Sequence, residues 1–135
     1  MKKFILSIIL FLLPICSMFI GLEFLLRGIP NDYQQKKQYL EENARSIEIL
    51  FIGSSHAYYG IDPAYLEVRS FNASHISQDF YFDLKIIEKF RNDLVNMRTL
   101  VIPISYFSYF SSLQDEENGE SWRLKNYSIY YNIET

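Results

Sequence analysis

The stretch that decides the fold is IEILFIGSSH, residues 47–56, where an apolar, β-branched run ends abruptly at a glycine, two serines and a histidine. Such a run suits a strand buried on both faces of a parallel sheet better than a strand with one solvated face. Gly53 ends it. Two interpretations are open: an ordinary strand that leaves the core through a polar turn, or a strand that presents a serine to a substrate.

Further strands and helices follow along the chain. Residues 70–73 and 99–104 are predicted strands, and Asp62 followed by Pro63 predicts a short helical turn after the first strand. A longer helix is predicted after residues 77–79 and up to about residue 96, and its apolar stripe comprises Phe80, Leu84, Ile87, Phe90 and Leu94. Strands that alternate with helices predict right-handed crossovers, hence an α/β fold with a three-stranded parallel sheet.

Residues 1–27 are set apart from this fold because the nineteen residues from Phe4 to Leu22 carry no charge. At about 1.5 Å per residue they span roughly 28 Å, close to the hydrocarbon thickness of about 30 Å. We therefore expect a transmembrane anchor; a cleaved signal peptide is the alternative, but the segment is long and has no small-x-small cleavage site before Arg27. Because a very short tail ahead of a first hydrophobic helix usually stays inside, we expect a single-pass cell-membrane protein with its soluble part outside, although the flanking charges are nearly balanced.

The remaining segments complete the predicted organisation. Residues 28–46 open with a turn signal and continue as a polar, helix-favouring run, which predicts a stalk helix or solvated linker. Residues 47–112 form the predicted α/β domain. Residues 113–135 are polar and Tyr-rich, and their pattern predicts no definite structure.

Charge and cysteine content exclude several functions. The 13 basic and 16 acidic residues of the chain become 10 and 15 once residues 1–27 are set aside, a net charge of −5 that disfavours nucleic acid as a partner. The single cysteine, Cys16, excludes an intramolecular disulfide and a cysteine metal cluster. We find no metal-binding, nucleotide-binding or haem motif and expect no cofactor.

Polar residues end all three predicted strands, at 53–56, 74–78 and 105–108. The carboxyl ends of parallel strands gather functional groups at one edge of the sheet. A nucleophilic serine needs a sharp turn, a base and N–H groups for the oxyanion, and the first strand end supplies the turn and the hydroxyl. We expect the Ser55 hydroxyl to project from the tip of the first strand into an open cleft. That expectation fails if the oxygen is buried or if the segment is helical.

Residues 51–56, FIGSSH, resemble the first block of the SGNH or GDSL-like hydrolase superfamily, in particular its membrane-tethered, surface-polysaccharide-associated branch. The resemblance implies that Ser55 is the nucleophile and that its own N–H serves the oxyanion hole. Residues 71–73 and Ser77 look like the second block, with Ser77 where the family has a glycine as oxyanion donor. After the third strand the family has an asparagine donor, and Ser105 is the nearest polar residue to that place.

The fold expected from these blocks is a partial flavodoxin-like parallel sheet behind the N-terminal helix. The family's Asp-x-x-His block, which supplies the base and its orienting acid, does not occur in these residues, and the simplest account is that they are the N-terminal part of a longer protein. His56, adjacent to Ser55, points away on an extended backbone. His75 either approaches the site or is a capping or solvated loop residue. The residues expected to line the site are Ser54, His56, Asn72, His75 and Gln78.

Two functions follow from the resemblance and its gaps. The first is a membrane-anchored serine esterase or O-acyl transfer protein that acts on acylated surface polysaccharide and is inactive as these residues alone. The alternative is a non-catalytic membrane-tethered module that binds glycan or a membrane-bound O-acyltransferase through the aromatic strip, residues 106–110. A third interpretation is an α/β remnant without a function of its own, because three short strands bury only part of a core.

Overall fold

The computed structural model describes residues 2–29, 31–115, 117 and 119–135. The chain forms two units, one that ends at Asn31 and one that spans Asp32–Thr135. Helix α1, Lys2–Arg27, makes up most of the first unit. None of the residues in its segment Lys3–Leu26 is buried, and by length and composition the segment can cross a membrane, a test that an N-terminal signal sequence also passes.

Three short parallel strands form the sheet of the second unit. They are β1 (Ile49–Phe51), β2 (Ser70–Asn72) and β3 (Thr99–Val101), in the order β2-β1-β3. In the centre of the sheet Leu50 lies opposite Phe71 on one side and Leu100 on the other, and Leu50 is fully buried. The predicted α/β fold with a three-stranded parallel sheet is confirmed, with each strand shorter than its apolar run.

Helices and single turns connect the strands. The α-helices of this unit are α2 (Asp32–Asn43), α3 (Ser55–Gly60), α4 (Phe80–Phe90) and α5 (Leu124–Asn126). The predicted turn after the first strand is a 3-10 helix, Pro63–Tyr65, and the carboxylate of Asp62 caps it by accepting a hydrogen bond from the Ala64 N–H at 2.9 Å. Similar 3-10 turns cover Ala44–Ser46, Tyr106–Tyr109 and Ser121–Arg123.

Helix α4 begins where Asp79 caps it. The Asp79 carboxylate accepts hydrogen bonds from the Phe82 N–H at 3.1 Å and from the Leu113 N–H at 2.8 Å. The first bond satisfies one of the N–H groups that a helix start leaves without an intrahelical partner. The second ties the chain after the third strand to this helix, so one side chain fixes both elements.

The predicted apolar stripe of α4 is wrong in its first half. Phe80 and Leu84 are 37% and 52% exposed, and the fully buried face of this part of the helix carries Phe82 and Ile86 instead. Both rows have helical spacing, so periodicity alone does not choose between them. The choice comes from packing, because the Phe82 ring stacks on that of Tyr127 with 3.9 Å between centroids.

Helix α2 belongs to the folded unit and is not a solvated stalk. Tyr33 and Leu40 are buried, seven residues apart on the same face of an otherwise polar helix. The Tyr33 ring meets that of Tyr127 edge-on at 5.3 Å. A stripe of two large residues was too sparse to predict this burial from the sequence.

Residues 113–135, for which the sequence predicts no definite structure, complete the core. Helix α5 continues into a π-helix, Tyr127–Tyr131, which ends at Asn132 in the left-handed conformation (φ 51°). Tyr127 and Tyr131 are fully buried and join the cluster formed by α2, α4 and the sheet. Among the described residues, five buried aromatic side chains therefore belong to this core cluster: Tyr33, Phe82, Phe90, Tyr127 and Tyr131.

Candidate functional site

The turn after β1 places Ser55 at the start of a helix. Gly53 has φ +127°, a conformation that favours glycine, and Ser54 is extended at the N-cap of α3, so that Ser55 is its first residue. The Gly53 carbonyl accepts a hydrogen bond from the His75 backbone N–H at 3.2 Å, and Gly53 lines a small cavity together with Asp83. The predicted extended backbone through Ser55 and His56 is therefore wrong, because the chain is helical from Ser55 onward. The expectation that the Ser55 hydroxyl projects from the tip of the first strand fails with it, since β1 ends at Phe51 and Ser55 is instead the first residue of α3.

Ser55 is half-buried and lines an open cleft of ≈ 150 Å³. The cleft brings together residues from all three strand ends and from the segment before α5, namely Ser54, Ser55, Ser77, Gln78, Phe107, Ser111, Ser112, Leu113 and Glu120. No partner for the Ser55 hydroxyl occurs among the described residues. The N–H of Ser55, as the first in its helix, has no intrahelical acceptor.

Four of the eight predicted site residues meet in this cleft. They are Ser54, Ser55, Ser77 and Gln78. Ser77 has a positive φ of 60°, an uncommon conformation for a residue other than glycine.

The other four predicted residues do not line the cleft, and Ser105 is the first. It caps the 3-10 helix Tyr106–Tyr109: its side chain accepts from the backbone of that turn, and its N–H donates to Ser108 Oγ at 3.0 Å. These bonds form a reciprocal capping box. Ser105 is therefore committed to the local turn.

Asn72 has a structural set of partners. Its Nδ2 donates to the carbonyls of Ala57 and Ile61, both at 2.8 Å, and its Oδ1 accepts from the Ser74 N–H at 3.1 Å. The side chain is 8% exposed. Asn72 thus ties the end of β2 to α3 and helps to hold the helix that begins with Ser55.

His75 is fully buried and lies in the core, so it neither faces the cleft nor is solvated. Its Nδ1 is 2.8 Å from Asp32 Oδ2, its Nε2 is 3.1 Å from the Tyr131 hydroxyl, and its ring stacks on Tyr33 at 4.0 Å. Burial lowers the pKa of His75, against the opposing effect of the Asp32 hydrogen bond. The ring is neutral at pH 7, with Nδ1–H donated to Asp32 and Nε2 accepting from Tyr131.

His56 is exposed, and its ring centroid lies 5.1 Å from that of Phe107. Phe107 lines the cleft, so His56 reaches the rim of the site through this contact only. Neither histidine of the chain has a hydrogen bond to Ser55 within the described part.

Asp83 is a functional candidate that the sequence did not reveal. Its carboxyl is 4% exposed, accepts from Gln78 Nε2 at 2.6 Å, and lines a small cavity with Gly53 and Ser54. Burial raises the pKa of Asp83 to about 6, and the nearby Asp79 charge adds to the effect of burial. The apolar stripe predicted for α4 drew attention to the other row of the helix, so Asp83 was passed over.

Glu120 is the second residue that sequence reasoning missed. It lines the cleft together with Ser55, and its carboxylate is paired with Arg123 Nε. It comes from residues 113–135, whose pattern predicted no definite structure. Among the described residues of the cleft, Glu120 is the group whose carboxylate shares the space in front of the serines.

No protein-family model matches the sequence, and neither a curated protein nor a solved structure shows significant similarity to it. Within residues 2–29, 31–115, 117 and 119–135, no cluster of three metal-ligating side chains is present. What the site can do follows from the cleft itself: a serine hydroxyl after a tight strand-to-helix turn, with backbone N–H groups and a buried amide beside it.

Proposed function

We propose that the protein is a membrane-anchored, SGNH-like serine esterase or O-acyl transfer protein that acts on acylated surface glycans, with Ser55 as nucleophile. The observation that carries the proposal is the placement of Ser55. It stands directly after a buried parallel strand, behind a glycine with positive φ, at the first position of a helix, and it lines an open cleft. Strand, sharp turn and exposed hydroxyl are what a serine nucleophile needs from its backbone.

The finer architecture belongs to the same proposal. The three parallel strands would be part of a flavodoxin-like sheet, and α1 would hold the second unit on the outer face of the membrane. The partners expected there are the membrane and an acylated polysaccharide. A free N–H at Ser55, together with the strained loop at Ser77, supports an oxyanion site on this face.

In the proposed reaction Ser55 Oγ attacks the ester carbonyl and gives its proton to a water molecule in the open cleft. The carbonyl π electrons move to oxygen, and the tetrahedral anion is held by N–H groups. Collapse returns the C=O bond and expels the sugar hydroxyl, which takes up a proton. The acyl group then leaves Ser55 for water or for a second hydroxyl. His75 is committed to Asp32 and Tyr131, and Glu120 to Arg123, so we expect slow acylation of Ser55 but no measurable turnover by these residues alone.

A fluorophosphonate probe tests the nucleophile because it reacts covalently with activated serines. The full chain in detergent micelles should gain one adduct, and peptide mapping should place it on Ser55. Ser55→Ala should gain none. Ser111→Ala, which removes another hydroxyl of the same cleft, is the matched control and should react like the wild type. An adduct at a different serine, or ester hydrolysis that survives in Ser55→Ala, would refute the assignment.

The second candidate is a non-catalytic module that binds glycan or a membrane-bound O-acyltransferase. Two observations favour it: Tyr106, Tyr109 and Phe110 are 70–87% exposed next to the cleft residue Phe107, and the described lining of the cleft contains no histidine. Association that is lost when Tyr106, Phe107 and Tyr109 are replaced by alanine, and kept in Ser55→Ala, would support it. Unchanged association in the triple variant would count against it.

A further inference from the structure

Gln78 is held at both ends of its side-chain amide. Its Oε1 accepts a hydrogen bond from the Tyr127 hydroxyl at 3.0 Å, and its Nε2 donates to Asp83 Oδ1 at 2.6 Å. All three side chains are buried, with Gln78 4% exposed. Because a carboxylate only accepts hydrogen bonds, Nε2 must face Asp83, which leaves Oε1 for the phenol O–H. The amide therefore has one orientation.

An amide nitrogen carries two protons, and Asp83 takes only one of them. No acceptor for the second proton occurs among the residues that the structure describes. Gln78 lines the cleft together with Ser55 and Ser77. A buried donor without a partner is costly, which indicates that the second N–H is kept for something that occupies the cleft.

We propose that the second N–H of Gln78 Nε2 is a side-chain oxyanion donor of this cleft, in addition to the backbone N–H groups of Ser55 and Ser77. The assignment rests on the proposed function of Ser55. It gives Gln78 the donor role that the resemblance to SGNH hydrolases suggested for Ser105, whose hydrogen bonds are used in its own turn. When Ser55 Oγ bonds to the carbonyl carbon, the oxygen gains the π electrons, and Gln78 donates a hydrogen bond to it without giving up its proton.

Asp83 and Tyr127 are positioning residues in this arrangement. Tyr127 fixes the amide from the C-terminal π-helix. The Asp83 carboxyl accepts a hydrogen bond from the Gln78 amide and lines a small cavity with Gly53, so the same group lies against both the donor and the turn that carries Ser55. The distance between nucleophile and donor is thereby set through a single buried side chain, which is the preorganisation that oxyanion stabilisation requires.

The test measures the rate of phosphonylation at Ser55 by intact mass, with the full chain in detergent micelles. Serine oxygen displaces fluoride from phosphorus, and the phosphonyl oxygen then carries the charge that the donors stabilise. Gln78→Leu keeps the size of the side chain and removes both amide protons. Its rate should be about 100-fold below that of the wild type, or lower still, which is the effect of deleting one oxyanion donor. Gln114→Leu on an exposed loop and Ser105→Ala are the controls and should keep the wild-type rate.

A second measurement does not depend on how well a variant folds. In wild-type protein labelled with ¹⁵N, one of the two Gln78 side-chain proton signals should move downfield on phosphonylation while the other, bonded to Asp83, stays. Equal rates in wild type and folded Gln78→Leu, or two unmoved Gln78 signals in the adduct, overturn the Gln78 assignment and leave Ser55 as nucleophile. Failure of the wild type to react at Ser55 overturns the proposed function, and the Gln78 assignment with it.

Discussion

Replacing Asp83 by asparagine should remove a pH-dependent loss in the free energy of unfolding. Burial is the main cause that raises the pKa of Asp83 from its usual 3.8 to about 6, while the Gln78 hydrogen bond opposes it. The difference between these values corresponds to about 3 kcal/mol, since one pKa unit corresponds to about 1.36 kcal/mol. The ionised Asp83 carboxylate therefore reduces the free energy of unfolding by about 3 kcal/mol above pH 6.

The sign follows from proton binding. Between pH 3.8 and about 6 the folded protein holds a proton on Asp83 that the unfolded chain has released, so the free energy of unfolding falls as the pH rises through this interval. The stabilisation from protonated Asp83 is fully present below the pKa of the unfolded chain, 3.8, and is lost above the pKa in the folded protein, about 6. His75 acts in the opposite direction, because its lowered pKa makes acid favour the unfolded chain. The difference between wild type and Asp83→Asn isolates the part due to Asp83.

Urea unfolding of the full chain in a non-ionic detergent, followed by the fluorescence of the single tryptophan, Trp122, gives this difference at each pH between 4 and 8. Asp83→Asn should be more stable than the wild type by up to about 3 kcal/mol at pH 8, and the two should converge near pH 4. Asp93→Asn controls for the loss of a surface carboxylate, since Asp93 is half-exposed and pairs with Arg45 at 3.8 Å. If the free energies of unfolding of wild type and Asp83→Asn change in parallel with pH, the destabilisation assigned to the ionised Asp83 carboxylate is refuted.

Two further substitutions test the parts that hold the site. Gly53→Ala should lower the free energy of unfolding by about 1–3 kcal/mol through backbone strain at φ +127°. A steric clash does not contribute, because the added Cβ would meet Ala57 and Pro103 at an ordinary 3.6 Å. Urea unfolding that shows no loss of stability would mean that the turn accommodates alanine without strain. Leu40→Ala should leave a cavity in the core and lower the free energy of unfolding by about 2–5 kcal/mol. Gln35→Ala, on the exposed face of α2, should change this free energy little in the same assay. Equal effects of the two substitutions would indicate that α2 is a solvated stalk after all.

The sheet could be predicted because a parallel strand buried on both faces leaves a strong local signal. Residues 47–52 are almost continuously apolar, and β1 lies within them as the central strand. The stripe of α4 was less predictable, since Phe80 and Phe82 begin two rows of equal helical spacing. The partner that selects Phe82 is Tyr127, 45 residues further along the chain. Local periodicity does not contain that information.

The same contrast holds at the candidate site. Ser55, Ser77 and Gln78 meet because strand ends of a parallel sheet lie at one edge, which topology alone implies. His75 was not predictable, because its partners Asp32 and Tyr131 are 43 and 56 residues away in the chain. Both come from segments that the sequence predicts as a linker and as a region without definite structure. Long-range side-chain pairs therefore decide where the histidine lies.

Two buried networks converge on the turn that carries Ser55. His75, held by Tyr131, donates its backbone N–H to the Gly53 carbonyl, while Asp83, linked through Gln78 to Tyr127, lines a small cavity with Gly53. Tyr127 and Tyr131 are the two ends of one π-helix, an uncommon element that is often found at functional sites. Since that helix supports both sides of the glycine, the geometry of the cleft depends on the packing of residues 113–135 as much as on the strand that precedes Ser55. The turn that carries Ser55 and the π-helix Tyr127–Tyr131 therefore belong to one packed unit, and a change in the packing of that helix should alter the cleft.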